Sequence, residues 1–271
     1  MLTDTMRPTA VSGFTLIELA VGIVVIALLL GGILVPLKTQ VETRKIEETQ
    51  RMLAQAREAV LGYAVANGYF PCPADSTSNG AEALPPDPPG PAPHDSTNGI
   101  CAASTGDGTA GYHGFLPAKT LGVAPVDDEG YAVDAWGLSS NRIRYSLYAD
   151  ANTIGKALVR SGGMAMLGIP VLGGATLFNV CLSGTGAGAA DCGAGVPPAQ
   201  VTLATNAVVV IWSVGSRSGA ANVHESENLS SNRVFVNRTR ADAAGAEFDD
   251  IVTWIPMTLV ISRMVAGGQL P

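Results

Sequence analysis

Residues 13–37 read GFTLIELAVGIVVIALLLGGILVPL, and this stretch decides the fold prediction. Its only charged side chain is Glu18, near the start of an otherwise apolar run. A helix over residues 14–37, at about 1.5 Å per residue, extends roughly 36 Å, which is enough to cross the hydrocarbon core of a bilayer. The pattern therefore predicts a transmembrane and assembly helix over residues 14–37.

Residues 38–67 continue the same helix with a different pattern. Charged and apolar residues are mixed. Apolar residues recur at three- and four-residue spacings on one helical face, namely Ile46, Leu53, Ala56, Val60 and Tyr63. The sequence Asn67-Gly68 then supplies a stop signal for the helix. These features predict an amphipathic helix over residues 38–67, packed on a globular body that occupies residues 68–271.

Glu18 requires a partner if the helix lies in an apolar environment. A charged side chain at the centre of such a helix costs about 2.5–3.5 kcal/mol on insertion scales. Cleavage after Gly13 would free an α-amine at Phe14, and the amine of a neighbouring copy could then neutralise Glu18. The alternative is an ordinary signal anchor, in which Glu18 stays near the interface and reaches water.

Gly13, followed by Phe14-Thr15-Leu16-Ile17-Glu18 and an apolar helix, closely resembles the prepilin signature. Type IV pilins and the pseudopilins of type II secretion systems share this signature. The resemblance implies that a prepilin peptidase removes a leader peptide, residues 1–13, that Phe14 is N-methylated, and that Glu18 directs assembly. It further implies contacts with other pilin or pseudopilin subunits, with an inner-membrane assembly platform and, before assembly, with membrane lipid.

The resemblance predicts a structural subunit, either a minor pilin or a pseudopilin of a type IV pilus or a type II secretion pseudopilus. Its location would be the inner membrane, with a single span and a periplasmic body, or an extracellular filament. The flanking charges favour the opposite orientation, since Arg7 stands alone before the span whereas Lys38, Arg44 and Lys45 follow it. We give the leader motif more weight. A membrane-anchored periplasmic binding or adhesion module is the alternative.

The body has the composition of a loop-rich α+β domain. The chain contains 32 Gly and 17 Pro, and the run Leu84-Pro85-Pro86-Asp87-Pro88-Pro89-Gly90-Pro91 cannot form a helix. Several later segments are rich in β-branched and aromatic residues between turn residues, and they predict an antiparallel β-sheet with large Gly/Pro-rich loops. These segments are residues 142–148, 176–182, 207–214, 233–236 and 251–255, and a short helix is predicted over residues 257–266.

The four cysteines all follow the apolar segment, which suits an oxidising compartment. Two bridges have three possible connectivities, and the simplest joins each cysteine to its neighbour in the sequence. A zinc site is disfavoured because no Cys-x-x-Cys spacing occurs and the three histidines are scattered. The simplest pairing is Cys72–Cys101 with Cys181–Cys192, and the other two connectivities of these four candidates stay open.

Two segments of the body resemble features of pseudopilins. Asp134-Ala135-Trp136-Gly137 partly matches a turn motif of the major pseudopilins, with alanine in place of proline. The segment 247–254 resembles an acidic end segment where some pseudopilins bind calcium, and this likeness implies a possible calcium site at Asp249 and Asp250. Residues 127–129 form a second acidic cluster. A solvated acidic turn is the alternative for each.

Charge and motif content exclude other function classes. A formal net charge of −7 and the absence of a basic run argue against binding to nucleic acid. The glycine-rich stretch 184–190 resembles a dinucleotide-binding loop only loosely, because prolines rather than a helix follow it. His224-Glu225 lacks the second histidine of a metalloprotease helix. No catalytic constellation is present in the sequence, and we predict a protein that is not an enzyme.

Overall fold

The computed structural model describes residues 13–84, 101, 111–149, 153–159, 162–175, 177–193, 202–217, 219 and 222–270, without the side chains of residues 30–38 and 153. Residues 1–12 of the predicted leader lie outside the described residues, and so does the proline-rich run over residues 85–91. The chain divides into two compact units, Met1–Lys45 and Ile46–Pro271. The predicted boundary at residue 37 lies within the first helix, whereas the predicted boundary at residue 67 coincides with the end of that helix.

Helix α1 comprises Leu16–Asn67 and crosses from the first unit into the second. Its end follows the expected chemistry, because Gly68 adopts a φ of 78°, a left-handed conformation that glycine tolerates well. Within the second unit, Leu53, Ala56, Val60 and Ala64 are buried at three- and four-residue spacings. This face anchors the second half of α1 to the hydrophobic core.

Short helices connect and cover the strands of the body. Helix α6 begins directly after Pro256 and ends before Gly267-Gly268, as the sequence predicts. Asn222 caps the N-terminus of helix α5, and its side chain accepts a hydrogen bond from the backbone N–H of His224. The bounds are α2 Ala118–Leu121, a 3₁₀ turn Ser139–Asn141, α3 Thr153–Val159, α4 Gly163–Gly173, α5 Val223–Leu229 and α6 Met257–Ala266.

The described strands form one six-stranded sheet in the order β1-β2-β4-β3-β5, with β6 also paired to β4. The longest strand, β4, pairs with three others and is therefore the organising element of the body. The bounds are β1 Tyr112–Phe115, β2 Arg144–Leu147, β3 Phe178–Cys181, β4 Thr202–Ser213, β5 Val234–Val236 and β6 Ile251–Pro256.

The core of the body is built around β4. Residues 207–211 are completely buried, and aromatic rings from neighbouring strands pack nearby. The ring centroids of Phe178 and Phe235 are 5.2 Å apart, as are those of Trp212 and Phe235, and both pairs meet edge to face. Burial of this kind contributes about 25 cal/mol per Å² of apolar surface, so the buried residues of β4 stabilise the body.

The prediction of an antiparallel sheet is wrong, although the α+β class agrees with the structure. Strands β3 and β5 are parallel neighbours, with Val180 opposite Phe235. The cause is the connection between them: the chain reverses through β4 and then passes through α5 before it returns beside β3. A crossover of this kind produces parallel pairing, which the strand pattern alone does not reveal.

The predicted membrane-spanning helix is also wrong. Within the ranges that the structure describes, none of the helices combines the length and the apolar character that crossing a bilayer requires.

Candidate functional sites

The first candidate site is the start of α1, where Thr15 and Glu18 cap the helix. The backbone N–H and the hydroxyl of Thr15 donate to Glu18 Oε2, at 3.0 and 2.8 Å. In return, Thr15 Oγ1 accepts from the backbone N–H of Glu18 at 3.3 Å. This reciprocal arrangement is a capping box, in which each side chain satisfies a backbone group that the first helical turn leaves unpaired.

The capping box also stabilises the ionised form of the Glu18 carboxyl. The backbone N–H of Thr15, followed by its hydroxyl, lowers the pKa of the Glu18 carboxyl below its usual value of 4.5. Glu18 is therefore an anion near neutral pH. Both hydrogen bonds use Oε2, which leaves Oε1 for a partner outside the described residues. The sequence identified Glu18 but not its local partner, although the spacing Thr-x-x-Glu is a signal for it.

The apolar side chains that follow Gly13 are largely exposed. Phe14 is 89% exposed, Leu16 is 87% exposed and Leu28 is 72% exposed. Exposure extends along residues 14–29 and includes all sides of the helix, apart from a half-buried Gly22. A run of large apolar side chains in water is unfavourable, and such a surface marks a site of interaction with another apolar surface.

The second candidate site is a cluster of three buried carboxylates, Glu225, Asp249 and Asp250. One oxygen from each side chain lies within 4.8 Å of the others. Glu225 comes from the first turn of α5, and the two aspartates immediately precede β6. The backbone N–H of Asp249 donates to Glu225 Oε1 at 3.2 Å, which fixes the two elements together.

The two aspartates have different surroundings. Asp249 Oδ2 accepts from Ser216 Oγ at 2.7 Å and from the backbone N–H of Arg217 at 3.0 Å, whereas Asp249 Oδ1 is buried without a hydrogen-bond partner. Asp250 accepts from Asn228 Nδ2 at 2.7 Å. Burial is the main reason that the pKa of Asp250 rises to about 7, and the neighbouring carboxylates raise it further.

The composition of the cluster fits a hard divalent cation. Its ligand atoms are all carboxylate oxygens, which calcium prefers, and a bound cation would give Asp249 Oδ1 the partner that the protein does not supply. Three carboxylates provide part of the six to eight oxygens that calcium requires. The sequence indicated Asp249 and Asp250 but missed Glu225, which lies more than twenty positions earlier and joins them only through the fold.

The other acidic segment has a structural partner. Arg142 Nε lies 2.6 Å from Asp127 Oδ2, and Arg142 Nη2 lies 2.9 Å from Glu129 Oε2. The guanidinium group also lies 4.1 Å from the ring centroid of Tyr131. Residues 127–129 are therefore a turn stabilised by Arg142, and their carboxylates do not belong to the Glu225–Asp249–Asp250 cluster.

The motif that begins at Asp134 is a turn tied to α1 and β4. Asp134 Oδ1 accepts from the backbone N–H of Trp136 at 2.9 Å, and Asp134 Oδ2 accepts from Ser213 Oγ at 2.5 Å. The backbone N–H of Ala135 donates to Thr49 Oγ1 on α1 at 3.2 Å. Its role in the structure is to connect elements of the body.

Both expected disulfides are present. The bridges are Cys72–Cys101 and Cys181–Cys192, and each closes its own loop of the chain. Stable disulfides form in oxidising compartments, so the two bridges indicate a location outside the cytoplasm.

Comparison of the chain with protein-family models, with curated proteins and with solved structures found no match.

Proposed function

We propose that this protein is a structural subunit of a pilin-like filament, either a minor pilin of a type IV pilus or a pseudopilin of a type II secretion pseudopilus. The single observation that carries the proposal is the exposed apolar surface of residues 14–29, which follows Gly13 and contains one carboxylate, Glu18. Packing against other copies or other subunits would remove this surface from water. The activity is assembly and not catalysis.

Processing after Gly13 supplies the charge that assembly needs. The cut frees a cationic α-amine at Phe14, one residue before the capping box of the same chain. In a filament, the amine of a neighbouring subunit would pair with Glu18, while Thr15 continues to hold Oε2. Burial of the pair between apolar helices strengthens the attraction and penalises a register that leaves either charge unpaired.

The proposed partners and location follow from this role. A prepilin peptidase would cut the chain, other pilin or pseudopilin subunits would surround residues 14–29, and an inner-membrane platform would assemble them. The body would lie in the periplasm or on an extracellular filament, which agrees with its two disulfides.

We also propose that Glu225, Asp249 and Asp250 hold a calcium ion. The ion would neutralise three buried carboxylates and fix α5 against the start of β6. Its role would be structural, since it would stabilise the part of the body that contains these two elements.

A second candidate function is a periplasmic binding or adhesion module. A groove in the body, about 530 Å³ in volume and lined by both polar and apolar residues, favours this role. A minor subunit of a filament could perform both functions.

Mass spectrometry of the N-terminal peptide tests the proposed processing. The chain would be isolated from cells that contain a prepilin peptidase, and we expect a peptide that begins at an N-methylated Phe14. Gly13→Val should abolish the cut, because a branched side chain replaces the glycine at the cleavage position. Gly22→Val is the matched control, since Cβ atoms at both glycines meet open space and neither change affects packing of the body.

A mature terminus at Met1, a cut elsewhere in the chain, or normal cleavage of Gly13→Val would contradict the proposal.

A further variant separates assembly from folding. Glu18→Ala should remove the chain from filaments, whereas thermal unfolding of the body should not change, because the Glu18 side chain is fully exposed. Equal incorporation of Glu18→Ala and wild type would show that charge pairing is not required.

A further inference from the structure

A groove lies between α1 and strand β6 in the second unit of the chain. One wall consists of Ile46, Gln50, Leu53 and Arg57, whose three- and four-residue spacings place them on one face of α1. The other wall consists of residues 249–253, which include the start of β6. We call this feature the α1–β6 groove; residues 237–240 complete its lining.

Strand β6 presents an edge to this groove. Among the described strands it pairs only with β4. Arg57 Nε donates to the backbone carbonyl of Trp254 at 3.0 Å, so a main-chain acceptor of β6 points toward α1 and away from β4. An edge strand beside a helix is the arrangement in which extended peptides bind by adding a strand to a sheet.

The two walls have similar lengths. From Ile46 to Arg57, α1 rises about 16 Å over eleven steps of 1.5 Å. An extended segment from residue 249 to residue 253 covers about 13 Å over four steps of 3.3 Å. The groove can therefore hold about four to five residues of a third, extended segment. Its volume of about 530 Å³ lies within the usual range of binding sites.

The charges of the groove select an anionic partner. Arg57, Arg238 and Arg240 all contribute to the lining. The side chain of Arg57 is 30% exposed and contacts the exposed Glu58 at 3.9 Å, and Arg240 contacts the exposed Asp242 at 3.8 Å. Ion pairs this long and exposed are weak. The carboxylates of Asp249 and Asp250 also border the groove, but both are buried and belong to the acidic cluster. Guanidinium groups bind carboxylates through paired hydrogen bonds, so acidic side chains complement this surface.

We propose that the α1–β6 groove binds an extended acidic peptide, which adds as a strand to the edge of β6 and places carboxylates against Arg57 and Arg238. Main-chain hydrogen bonds supply the alignment, and the arginines supply the selectivity for acidic side chains. This function goes beyond filament assembly and does not depend on it, because every residue involved belongs to the second unit of the chain, Ile46–Pro271.

A binding experiment with a defined peptide tests the proposal. The full chain, kept in detergent to cover residues 14–29, would be titrated into fluorescein-labelled VEVEVEV, and fluorescence anisotropy would report saturable binding. Unlabelled VEVEVEV should compete, whereas VKVKVKV should not. The proline-containing VEVPVEV should bind at least about tenfold more weakly, because proline removes a main-chain donor and resists pairing as a strand.

Variants of the arginines locate the site. Arg57→Gln and Arg238→Gln should each lower the affinity for VEVEVEV about tenfold or more. Arg57→Gln also removes the hydrogen bond to the carbonyl of Trp254 and could disturb β6 by itself. Arg238→Gln removes a charge without breaking that hydrogen bond, so it separates binding from folding. Arg51→Gln is the matched control: Arg51 is an exposed arginine on the same helix and does not line the groove.

Hydrogen exchange identifies the bound strand. VEVEVEV should slow exchange of the backbone amides of residues 251–253. Equal binding of VKVKVKV, equal effects of Arg51→Gln and Arg238→Gln, or unchanged exchange in β6 would each overturn the proposal. Self-association that is lost in Arg238→Gln would also overturn it, because the groove would then be an interface between copies of this chain.

Discussion

Two apolar stretches of this protein have opposite surroundings. Residues 207–211 of β4 are completely buried among strands and helices of the same chain, whereas residues 23–29 of α1 are exposed. Their sequences are similar in character, since both are rich in valine and isoleucine. The difference shows that an apolar run predicts burial but does not say which molecule provides the partner. For β4 the partner is the body itself, and for α1 we propose other subunits.

The most severe test of this comparison introduces one charge into each stretch. Val210→Asp should destabilise the body by at least about 4 kcal/mol, because Val210 is completely buried and a carboxylate there would lose its hydration. Val24→Asp should leave unfolding of the body unchanged, since Val24 is 58% exposed. Chemical denaturation monitored by circular dichroism measures both. Equal losses would show that residues 14–29 already contribute to the folded body.

Removal of the disulfides should have the next largest effect, and only on the body. Cys181 and Cys192 are separated by 11 positions and Cys72 and Cys101 by 29, so loss of either bridge should cost about 3–4 kcal/mol by the loop-entropy relation. Denaturation of the paired alanine variants tests this. A loss below about 1 kcal/mol for both would show that contacts in the body, without the bridges, determine its stability.

Calcium should stabilise the body more moderately. At a concentration one hundred times its dissociation constant, a ligand adds about 2.7 kcal/mol, which thermal unfolding in calcium and in EDTA can detect. Glu225→Gln should reduce the difference, because it removes one of the three carboxylates. Asp242→Asn is the control, since its carboxylate is 71% exposed and lies outside the cluster. Identical unfolding of wild type in both solutions would contradict the calcium proposal.

The smallest expected effect is a pH dependence of the free energy of unfolding, measured in EDTA so that no cation is bound. The folded pKa of Asp250, about 7, exceeds its ordinary value of 3.8, so stabilisation by its protonation is present below pH 4 and is lost as the pH rises through 7. Asp250→Asn avoids this loss. Relative to wild type, the variant should therefore gain at least about 1 kcal/mol between pH 5 and pH 8 in urea denaturation. A constant difference would show that Asp250 is already ionised in the folded protein.

Local sequence patterns predicted five of the six described strands together with α1 and α6, but they missed the short helices α2 to α5. The strand-like segments near 142–148, 176–182, 207–214, 233–236 and 251–255 all contain strands, and the proline and glycine signals defined α6. Strand β1 was missed because its four residues, YHGF, include a glycine and show little alternation. The parallel pair β3 and β5 was missed because strand direction depends on the connection through α5, which has no local signal in either strand.

The candidate sites also differ in whether local sequence alone could predict them. Gly13, Phe14 and Glu18 form a contiguous motif, so the sequence identified them together. The acidic cluster combines Glu225 with Asp249 and Asp250, which the fold brings together from two elements. The α1–β6 groove combines a helix face with a strand edge and likewise has no contiguous signal. Sites made from distant segments require the topology before they can be recognised.

The central claim is that other subunits cover residues 14–29 after the cut at Gly13. Ala27→Cys, at an exposed position of α1, would be treated with a short bifunctional maleimide in cells that contain a pilin-type assembly machinery. The account predicts covalent multimers whose chains begin at Phe14, and it predicts that Gly13→Val abolishes them. Monomers alone, or the same multimers in Gly13→Val, would contradict it.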